Sequence, residues 1–243
     1  MDVKPVEIKV DDAVIRGNLY IPVAPAKKLA VLFLHGWTGK PNESAAKLLA
    51  ENGFHALTIS MRGHNNSDGD IKRVTRQNSL DDAVVAYDFL QSKLPPQTAI
   101  GVVGNSYGSY ITAVLSVERP IACMSLRVPA AYLDDGFDQP QSGQGNENPA
   151  VMAWRQKSQS FEGNRGFRAV HNFKGGVQII EAEHDDAIPH QTTQNYMDAV
   201  ADPGRLDYHF MKGWSHSIGD NQKMSQEFQN ILLAWAKDQE KQV

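Results

Sequence analysis

The sequence predicts an α/β fold in which a doubly wound, mostly parallel sheet carries an antiparallel hairpin at its N-terminal edge. The first reason is that apolar runs typical of buried strands alternate along the chain with segments whose apolar residues recur at helical spacing. The second is that the N-terminal segment alternates between apolar and polar positions. The third is the length of 243 residues, which one α/β domain commonly reaches, so we expect residues 1–243 to form a single domain.

The predicted hairpin comprises residues 6–10 and 14–21. Apolar residues occupy every second position of the first segment, and Asp11 and Asp12 supply a turn before the second. Residues 29–35 then form a run that is apolar on both faces of a strand. Because strands buried on both faces lie in the middle of parallel sheets, we expect this run to be a central strand.

The remaining segments continue the alternation of strands and helices. The last helix shows the helical spacing most fully, with Phe228, Ile231, Leu232 and Trp235 at positions i, i+3, i+4 and i+7. The other predicted helices are 43–52, 80–93, 107–117 and 192–200, and the further predicted strands are 54–60, 99–104, 121–128, 177–183 and 206–211.

A long polar segment interrupts this alternation from residue 129 to about 174. It is rich in glutamine and asparagine, and long irregular insertions in a compact domain are usually functional or mobile. Because it follows the end of a predicted strand, we expect a small cap over a site, and a mobile surface loop is the alternative. Phe137, Trp154, Phe161 and Phe167 would supply its apolar underside.

The composition excludes several classes of protein. The chain has 24 Lys and Arg against 28 Asp and Glu, a net charge of −4, so it lacks the basic field of a nucleic-acid binder. Cys123 is the single cysteine, which excludes an intramolecular disulfide and a four-cysteine zinc site. The first residues lack the apolar run of a signal peptide, and no stretch approaches the length of a membrane span. We therefore expect a cytoplasmic protein with no membrane partner.

The pentapeptide Gly104-Asn105-Ser106-Tyr107-Gly108 has the pattern G-x-S-x-G. It lies between a predicted strand and a predicted helix, the context in which this pattern forms a sharp turn that exposes a serine. Such a turn forces the serine into a strained conformation with positive φ, and crowds out side chains at the two glycine positions. Amides at the start of the following helix favour negative charge beside the hydroxyl. We therefore predict that Ser106 is a nucleophile.

Acyl transfer also needs two backbone N–H groups that point at the oxygen on which negative charge develops. We expect one from Tyr107, directly after the nucleophile, and the other from Trp37, where the motif His35-Gly36-Trp37 closes the first apolar run. We expect His35 to hold this loop through structural hydrogen bonds. The side chains of Trp37, Tyr107 and Trp154 are predicted to contact the substrate.

A serine hydroxyl needs a base that accepts its proton. Among the eight histidines, His216 stands on a loop just after the last predicted strand, which places it at the same sheet edge as Ser106. The base in turn needs a carboxylate that fixes its tautomer. The strand 177–183 leads into a turn that contains Asp185 and Asp186, and the positions of these two residues do not decide between them.

A metal site is an alternative use of this turn, because His184, Asp185, Asp186 and His190 are residue types that bind metals. Their spacing matches no familiar closed site. We therefore predict neither a metal nor a cofactor.

The chain order Ser106, Asp185, His216 resembles that of the α/β-hydrolase superfamily, and the resemblance covers nearly the whole chain. It implies the α/β-hydrolase fold with a small cap insertion. It also identifies Asp185 as the carboxylate, because the family pattern D-x-x-[VI]-P stands here at residues 185–189, with Ile and Pro at the last two positions.

Within that superfamily, residues 35–39 and 62–69 resemble the small bacterial esterases of the cinnamoyl and feruloyl type. Those esterases share a subgroup with serine aminopeptidase-like hydrolases and monoacylglycerol lipases. Two positions depart from the usual pattern: Ser60 stands where the family usually has Asp, and Asn65 stands where it usually has Gly.

The residues and the resemblance together imply a serine hydrolase that cleaves a small-molecule carboxylic ester through an acyl-enzyme. The polar cap is unlike the broad apolar lid expected for action on lipid, which favours short-chain or aryl esters over insoluble triglycerides. Two alternatives stay open. The same residues are compatible with cleavage of an amide, thioester or lactone, and a ligand-binding protein on the same scaffold would show no turnover.

Overall fold

The computed structural model of the protein describes residues 1–23, 25–219 and 221–243. Within these ranges eight strands form one sheet. The strands are β1 (Asp2–Val10), β2 (Ala13–Ile21), β3 (Leu29–Leu34), β4 (His55–Ser60), β5 (Ala99–Asn105), β6 (Cys123–Arg127), β7 (Gly176–His184) and β8 (Leu206–Ser215). The α-helices are α1 (Glu43–Glu51), α2 (Arg76–Lys93), α3 (Tyr107–Glu118), α4 (Pro149–Arg155), α5 (Arg165–Asn172), α6 (His190–Ala199) and α7 (Gln222–Gln239).

The order of strands across the sheet is β1-β2-β4-β3-β5-β6-β7-β8. β2 pairs antiparallel with both β1 and β4, and the other neighbouring pairs are parallel. In the turn between β1 and β2, Asp11 adopts a positive φ of 50°, a conformation that aspartate tolerates. The predicted fold class is confirmed: a mostly parallel sheet with an antiparallel N-terminal hairpin at one edge.

Helices cover both faces of the sheet because its central strands are apolar on both sides. All six residues of β3 and all six of β4 are buried. α1 and α7 pack on one face through residues such as Leu49 and Trp235, while α2, α3, α5 and α6 pack on the other face. Within the described residues, the helices include none that is both long enough and apolar enough to cross a membrane.

Residues 129–174, predicted as an insertion, fold against the body of the domain. They contain α4, a short 3-10 turn at Phe161–Gly163, and α5. Phe137 and Phe167 are buried in the core, and Trp154 packs partly buried against it. α5 packs on α3 and lies between β6 and β7 in the chain, so it continues the regular alternation of strand and helix.

The carboxyl ends of the central strands lie side by side, which brings the predicted site residues to one edge of the sheet. Leu34 of β3 pairs with Gly104 of β5, and Asn105 of β5 pairs with Arg127 of β6. β7 and β8 run parallel to these strands and end at the same edge. The loops that follow β3, β5, β7 and β8 therefore meet, as expected for the ligand-binding edge of an open α/β sheet.

Candidate active site

Ser106 stands in the tight turn between β5 and α3. Its φ of 51° is the positive value that the turn predicts. Its N–H donates to the Arg127 carbonyl at 2.9 Å, and its own carbonyl accepts from the N–H groups of Ser109 at 3.0 Å and Ala130 at 3.2 Å. The neighbouring strand and the first turn of α3 thus hold the strained backbone of Ser106 in place.

Two glycines make this turn possible because other backbone segments pass too close for a side chain. A Cβ atom at Gly104 would lie 2.5 Å from the carbonyl oxygen of Gly108. A Cβ atom at Gly108 would lie 2.2 Å from the carbonyl oxygen of Leu34, at the end of β3. The glycine positions of the pentapeptide therefore reflect the close packing of α3 against its neighbouring strands.

His35 holds the loop that follows β3. Its ring is buried, its Nδ1 lies 2.8 Å from the Gly36 carbonyl oxygen, and its Nε2 lies 3.0 Å from the Met61 amide nitrogen. Because Nε2 must accept from that N–H group, Nδ1 carries the ring proton and donates to Gly36. Burial and the neighbouring His64 lower the pKa of His35 to about 4, so the ring is neutral at neutral pH.

The bond from His35 orients the peptide between Gly36 and Trp37. The Gly36 carbonyl also accepts from the Gly39 N–H at 2.9 Å, and in a trans peptide the following N–H points the opposite way. Within the described chain, no hydrogen bond takes the Trp37 N–H. The Tyr107 N–H stands at the first position of α3, where an amide has no partner inside its helix. Within the part of the chain that the structure describes, both amides predicted to bind an oxyanion thus lack a hydrogen-bond partner.

The three side chains predicted to contact the substrate lie in different environments. Trp37 lines the cleft that contains Ser106. Tyr107 is fully buried and its hydroxyl donates to the Ser79 hydroxyl at 2.9 Å. Only the backbone N–H of Tyr107 is therefore placed to bind a substrate. Trp154 stacks on Phe167 with ring centres 6.2 Å apart, and it is not among the described residues that line this cleft.

The structure brings His216, on the loop after β8, together with Asp185, on the loop after β7. Nδ1 of His216 lies 2.9 Å from each carboxylate oxygen of Asp185, and Oδ1 of Asp185 also accepts from the Ala187 and Ile188 amides at 2.9 and 2.7 Å. The side chain of Asp185 is 6% exposed and that of His216 is 23% exposed. Asp186 is exposed, and within the described residues it makes no hydrogen bond to His216. A carboxylate that accepts the Nδ1 proton leaves Nε2 of a neutral ring free to accept another.

Arg127, which no motif in the sequence singles out, joins these segments. It ends β6 and is 7% exposed. Its Nε donates to Oδ1 of Asn105 at 2.9 Å, and its Nη1 donates to the carbonyl oxygen of His216 at 2.9 Å. Burial lowers the pKa of Arg127 to about 10 while the charge of Asp185 opposes that shift, so the guanidinium is charged at neutral pH. The guanidinium of Arg127 therefore links Asn105, the residue before Ser106, to the loop that carries His216.

Ser106 and His216 line the same cleft, which has a volume of about 1040 Å³. Its walls include the loop after β3, the start of α1 and parts of β1 and β2, and its described walls include nothing from residues 129–174. A covering role for that segment stays a prediction. The hydrogen bonds of the described residues do not include one between the hydroxyl of Ser106 and His216, and such bonds are often longer before a substrate binds.

The two positions that depart from the usual family pattern pair with each other beside this cleft. Nδ2 of Asn65 donates to Oγ of Ser60 at 3.3 Å and to the Gly39 carbonyl at 3.1 Å. Asn65 has a φ of 48°, in the left-handed region that glycine adopts freely and asparagine tolerates. Asparagine therefore suits the conformation of this position, and its amide holds the loop after β3.

The residues of the alternative metal site are engaged in separate contacts. Asp185 bonds to His216, while Nδ1 of His190 lies 2.6 Å from Oε1 of Glu181. In residues 1–23, 25–219 and 221–243, no group of three or more His, Cys, Asp or Glu side chains is placed to hold a metal ion.

Comparison with known proteins bears on the fold. A family model described as the alpha/beta hydrolase fold matches residues 30–178. No curated protein sequence matches this chain. Among solved structures, the esterase Pf2001 of Pyrococcus furiosus is 19% identical, with a TM-score of 0.73 over 98% of this chain and 92% of that chain.

Two further structures are similar. Est1E of Butyrivibrio proteoclasticus, solved with bound ferulic acid, is 19% identical, with a TM-score of 0.69 over 94% of this chain and 98% of that chain. DcsB, solved in complex with its substrate analogue, is 14% identical, with a TM-score of 0.74 over 98% of this chain and 99% of that chain. At these identities the similarity shows a shared fold.

Proposed function

Because this chain belongs to the α/β-hydrolase family, we propose that it is a serine hydrolase that cleaves short-chain or aryl carboxylic esters. The observation that carries the proposal is the hydrogen bond between Asp185 and His216, because His216 lines the same cleft as Ser106. A neutral histidine oriented by a carboxylate is the arrangement that activates a serine hydroxyl. In this proposal Ser106 is the nucleophile, His216 the base and Asp185 the orienting carboxylate.

The reaction proceeds in two halves. The hydroxyl of Ser106 gives its proton to Nε2 of His216 while its oxygen bonds to the ester carbonyl carbon. The bond from that carbon to the alcohol oxygen then breaks, His216 gives its proton to the departing alcohol, and the acyl group stays on Ser106. Water next gives a proton to His216 and bonds to the acyl carbon, and the carboxylic acid leaves as Ser106 regains its proton. Asp185 stabilises the imidazolium in both halves.

The free amides of Trp37 and Tyr107 support the same chemistry. In each half the carbonyl oxygen becomes negative, and two N–H groups already in place stabilise it without having to reorganise. One such donor typically contributes about 3 kcal/mol. The bonds that His35 and Gly39 make to the Gly36 carbonyl give the Trp37 amide a fixed direction before a substrate arrives.

The composition of the cleft walls favours an ester with a short acyl group. Its large apolar side chains are Val6, Trp37, Ile218 and Phe228, and polar residues make up most of the rest. A long acyl chain gains about 0.8 kcal/mol for each methylene buried, and only where the wall is continuously apolar. We therefore expect a higher kcat/KM on p-nitrophenyl acetate or butyrate than on p-nitrophenyl palmitate.

Hydrolysis of p-nitrophenyl acetate by the purified protein and by Ser106→Ala tests the proposal. The substitution is expected to reduce kcat by about 10⁶, the loss typical of removing the nucleophile of such a triad. Ser92→Ala, at an exposed position of α2, is the matched control and keeps the full rate. Undiminished hydrolysis by Ser106→Ala would contradict the proposal.

A further inference from the structure

The sheet ends in two edge strands, and β1 carries the features that keep an edge strand from pairing with another chain. Pro5 supplies no N–H group in the middle of β1, and Lys4 and Lys9 place charges along it. β8 is ten residues long, contains no proline and has one lysine. The left-handed φ of Gly213, 77°, comes only near its end, so residues 206–211 form an edge without such protection.

The outer side of β8 has no partner strand among the residues that the structure describes. β7 pairs with the inner side of β8 from Leu206 to Met211. The outward N–H and C=O groups of residues 206–210 make no hydrogen bond to another part of the described chain. Such a row of unpaired backbone groups is a template on which a further strand pairs.

One face of this edge presents an apolar row. Tyr208 is 38% exposed and Phe210 is 50% exposed, and Leu206 on the same face packs partly buried against the core. The hydroxyl of Tyr208 donates to Oε2 of Glu181, a buried carboxylate whose Oε1 lies 2.6 Å from Nδ1 of His190. Because this bond satisfies the hydroxyl and fixes the ring, the part of Tyr208 that stays exposed is hydrocarbon.

The other face of the same segment carries a carboxylate and an imidazole. Asp207 and His209 are two residues apart, so their side chains share this face, and Oδ1 of Asp207 lies 3.0 Å from Nε2 of His209. Within the described residues Nδ1 of His209 makes no hydrogen bond. A protonated imidazole donates from both nitrogens, so this ring has a position left for a second carboxylate.

A second copy of this chain complements both faces when β8 pairs antiparallel with itself. A two-fold axis perpendicular to the sheet maps each face onto itself, so the apolar row of one copy meets that of the other. With the axis at Tyr208, the Tyr208 rings of the two copies lie opposite each other. On the same face, Leu206 of each copy lies opposite Phe210 of the other. On the second face, Asp207 of each copy lies opposite His209 of the other. Aromatic, apolar and opposite-charge pairs are those that stabilise neighbouring antiparallel strands.

We propose that this chain forms a homodimer in which the β8 edges of two copies pair antiparallel around Tyr208. The two eight-stranded sheets then form one continuous sheet. The described residues that line the cleft of Ser106 include none of residues 206–210, so the dimer leaves that cleft open and does not depend on the proposed function. The paired segment is short, so the interface is of the small size typical of weak complexes, with a Kd in the micromolar range.

Sedimentation velocity over a concentration series tests the proposal. Between about 1 and about 500 µM the wild-type protein should pass from monomer to dimer, the range over which a micromolar Kd is visible. A protein that stays monomeric at about 500 µM overturns the proposal.

Charge variants test whether β8 is the interface. His209→Asp places like charges opposite each other at two positions and should raise the Kd of the dimer about 10-fold or more. The double variant Asp207→His with His209→Asp restores opposite partners and should recover most of the lost affinity. Val3→Asp, at an exposed position of β1, is the matched control: it adds an aspartate to the other edge and should leave the Kd unchanged. A dimer that tolerates His209→Asp overturns the proposal.

Disulfide crosslinking tests the register. A cysteine at the two-fold axis meets the same cysteine of the other copy at a Cα separation of about 4.5–5.5 Å, within the reach of a disulfide. Tyr208→Cys should therefore give a covalent dimer after oxidation with diamide. Phe210→Cys places the two cysteines roughly 14 Å apart and should stay monomeric on a denaturing gel, with the same buried Cys123 in both variants. A covalent dimer of Phe210→Cys alone, or of neither variant where the wild type is dimeric, overturns the pairing around Tyr208.

Discussion

Replacing Arg127 with methionine tests whether its buried guanidinium positions His216 for catalysis. Methionine keeps most of the side-chain length and removes both charged hydrogen bonds, those to Asn105 and to the carbonyl of His216, each 2.9 Å long. The bond from the Ser106 N–H to the carbonyl of residue 127 is made by the backbone and survives the change. The variant therefore loosens the loop of His216 while the nucleophile stays in place.

The expected magnitude follows from these two bonds. A hydrogen bond from a charged donor contributes about 1.5–3 kcal/mol, so Arg127→Met should lower the free energy of unfolding by about 3–6 kcal/mol. Domains are commonly stable by about 5–15 kcal/mol, so a folded population remains at low temperature. In that population a displacement of His216 by about 1 Å should reduce kcat on p-nitrophenyl acetate by about 10²-fold with little change in KM.

The assay measures kcat and KM at low temperature, with the folded fraction taken from urea unfolding of the same sample. Arg127→Lys keeps the charge but has no planar fork to reach both acceptors, so its kcat should fall between wild type and Arg127→Met. The matched control is Arg155→Met: Arg155 is 1% exposed and bonds to the Ala131 carbonyl and to Asn146, outside the described walls of the cleft. This control should lose stability and keep kcat per folded molecule.

Two results would refute this reasoning. One is a folded Arg127→Met protein whose kcat stays within about threefold of wild type, since the positioning role predicts a far larger loss. The other is an equal loss of kcat in Arg155→Met, which would show that any buried arginine has the same effect.

Three further predictions concern the residues around Ser106. Asp185→Asn should lower kcat by about 10⁴ because His216 loses the carboxylate that fixes its tautomer. Asp186→Asn should change kcat by less than about threefold. Equal losses in the two variants would contradict the pairing of His216 with Asp185. Gly108→Ala forces a Cβ to 2.2 Å from a backbone oxygen and should destabilise the protein by about 3 kcal/mol or more in thermal unfolding, whereas Gly163→Ala, with open space around it, should stay within about 0.5 kcal/mol. The pKa of His35 is about 4 in the folded protein against 6.5 ordinarily, so the unfolded chain takes up the proton first and stability falls as the pH drops from 6.5 towards 4. Urea unfolding should show that His35→Asn removes roughly 2 kcal/mol of the loss between pH 7 and pH 5, and an unchanged pH dependence would contradict the buried neutral ring.

The features that the sequence predicts correctly are those that local patterns determine. Apolar runs predict β3 and β4 because both faces of these strands are covered, and alternation in the first segment predicts β1, which lies at the edge of the sheet. The candidate triad is predictable because a parallel sheet brings the ends of its strands to one edge. Ser106, Asp185 and His216 each follow a strand, so the topology alone places them at this edge. The hydrogen bond between His216 and Asp185 joins two of them, and the action of His216 on Ser106 stays a prediction.

The features that the sequence does not predict depend on tertiary packing. α5 has Phe167, Ala169 and Val170 at helical spacing, but it is only eight residues long and lies within a segment that is polar overall. Arg127 looks like a charged residue at the end of an apolar strand, and its role emerges only when the loop of His216 lies against it. The sequence predicts that Trp154 of the insertion contacts the substrate, but the described cleft opens towards β1, β2 and α1 and is not lined by Trp154. Periodicity does not report the direction in which a cleft opens.

Reaction with a fluorophosphonate probe, followed by mass spectrometry of the digested protein, tests most directly whether Ser106 is an activated nucleophile. We expect one probe per chain on the peptide that contains Ser106, no labelling after denaturation, and none in Ser106→Ala. A folded protein that resists the probe, or that takes it up equally after Ser106→Ala, would contradict the account.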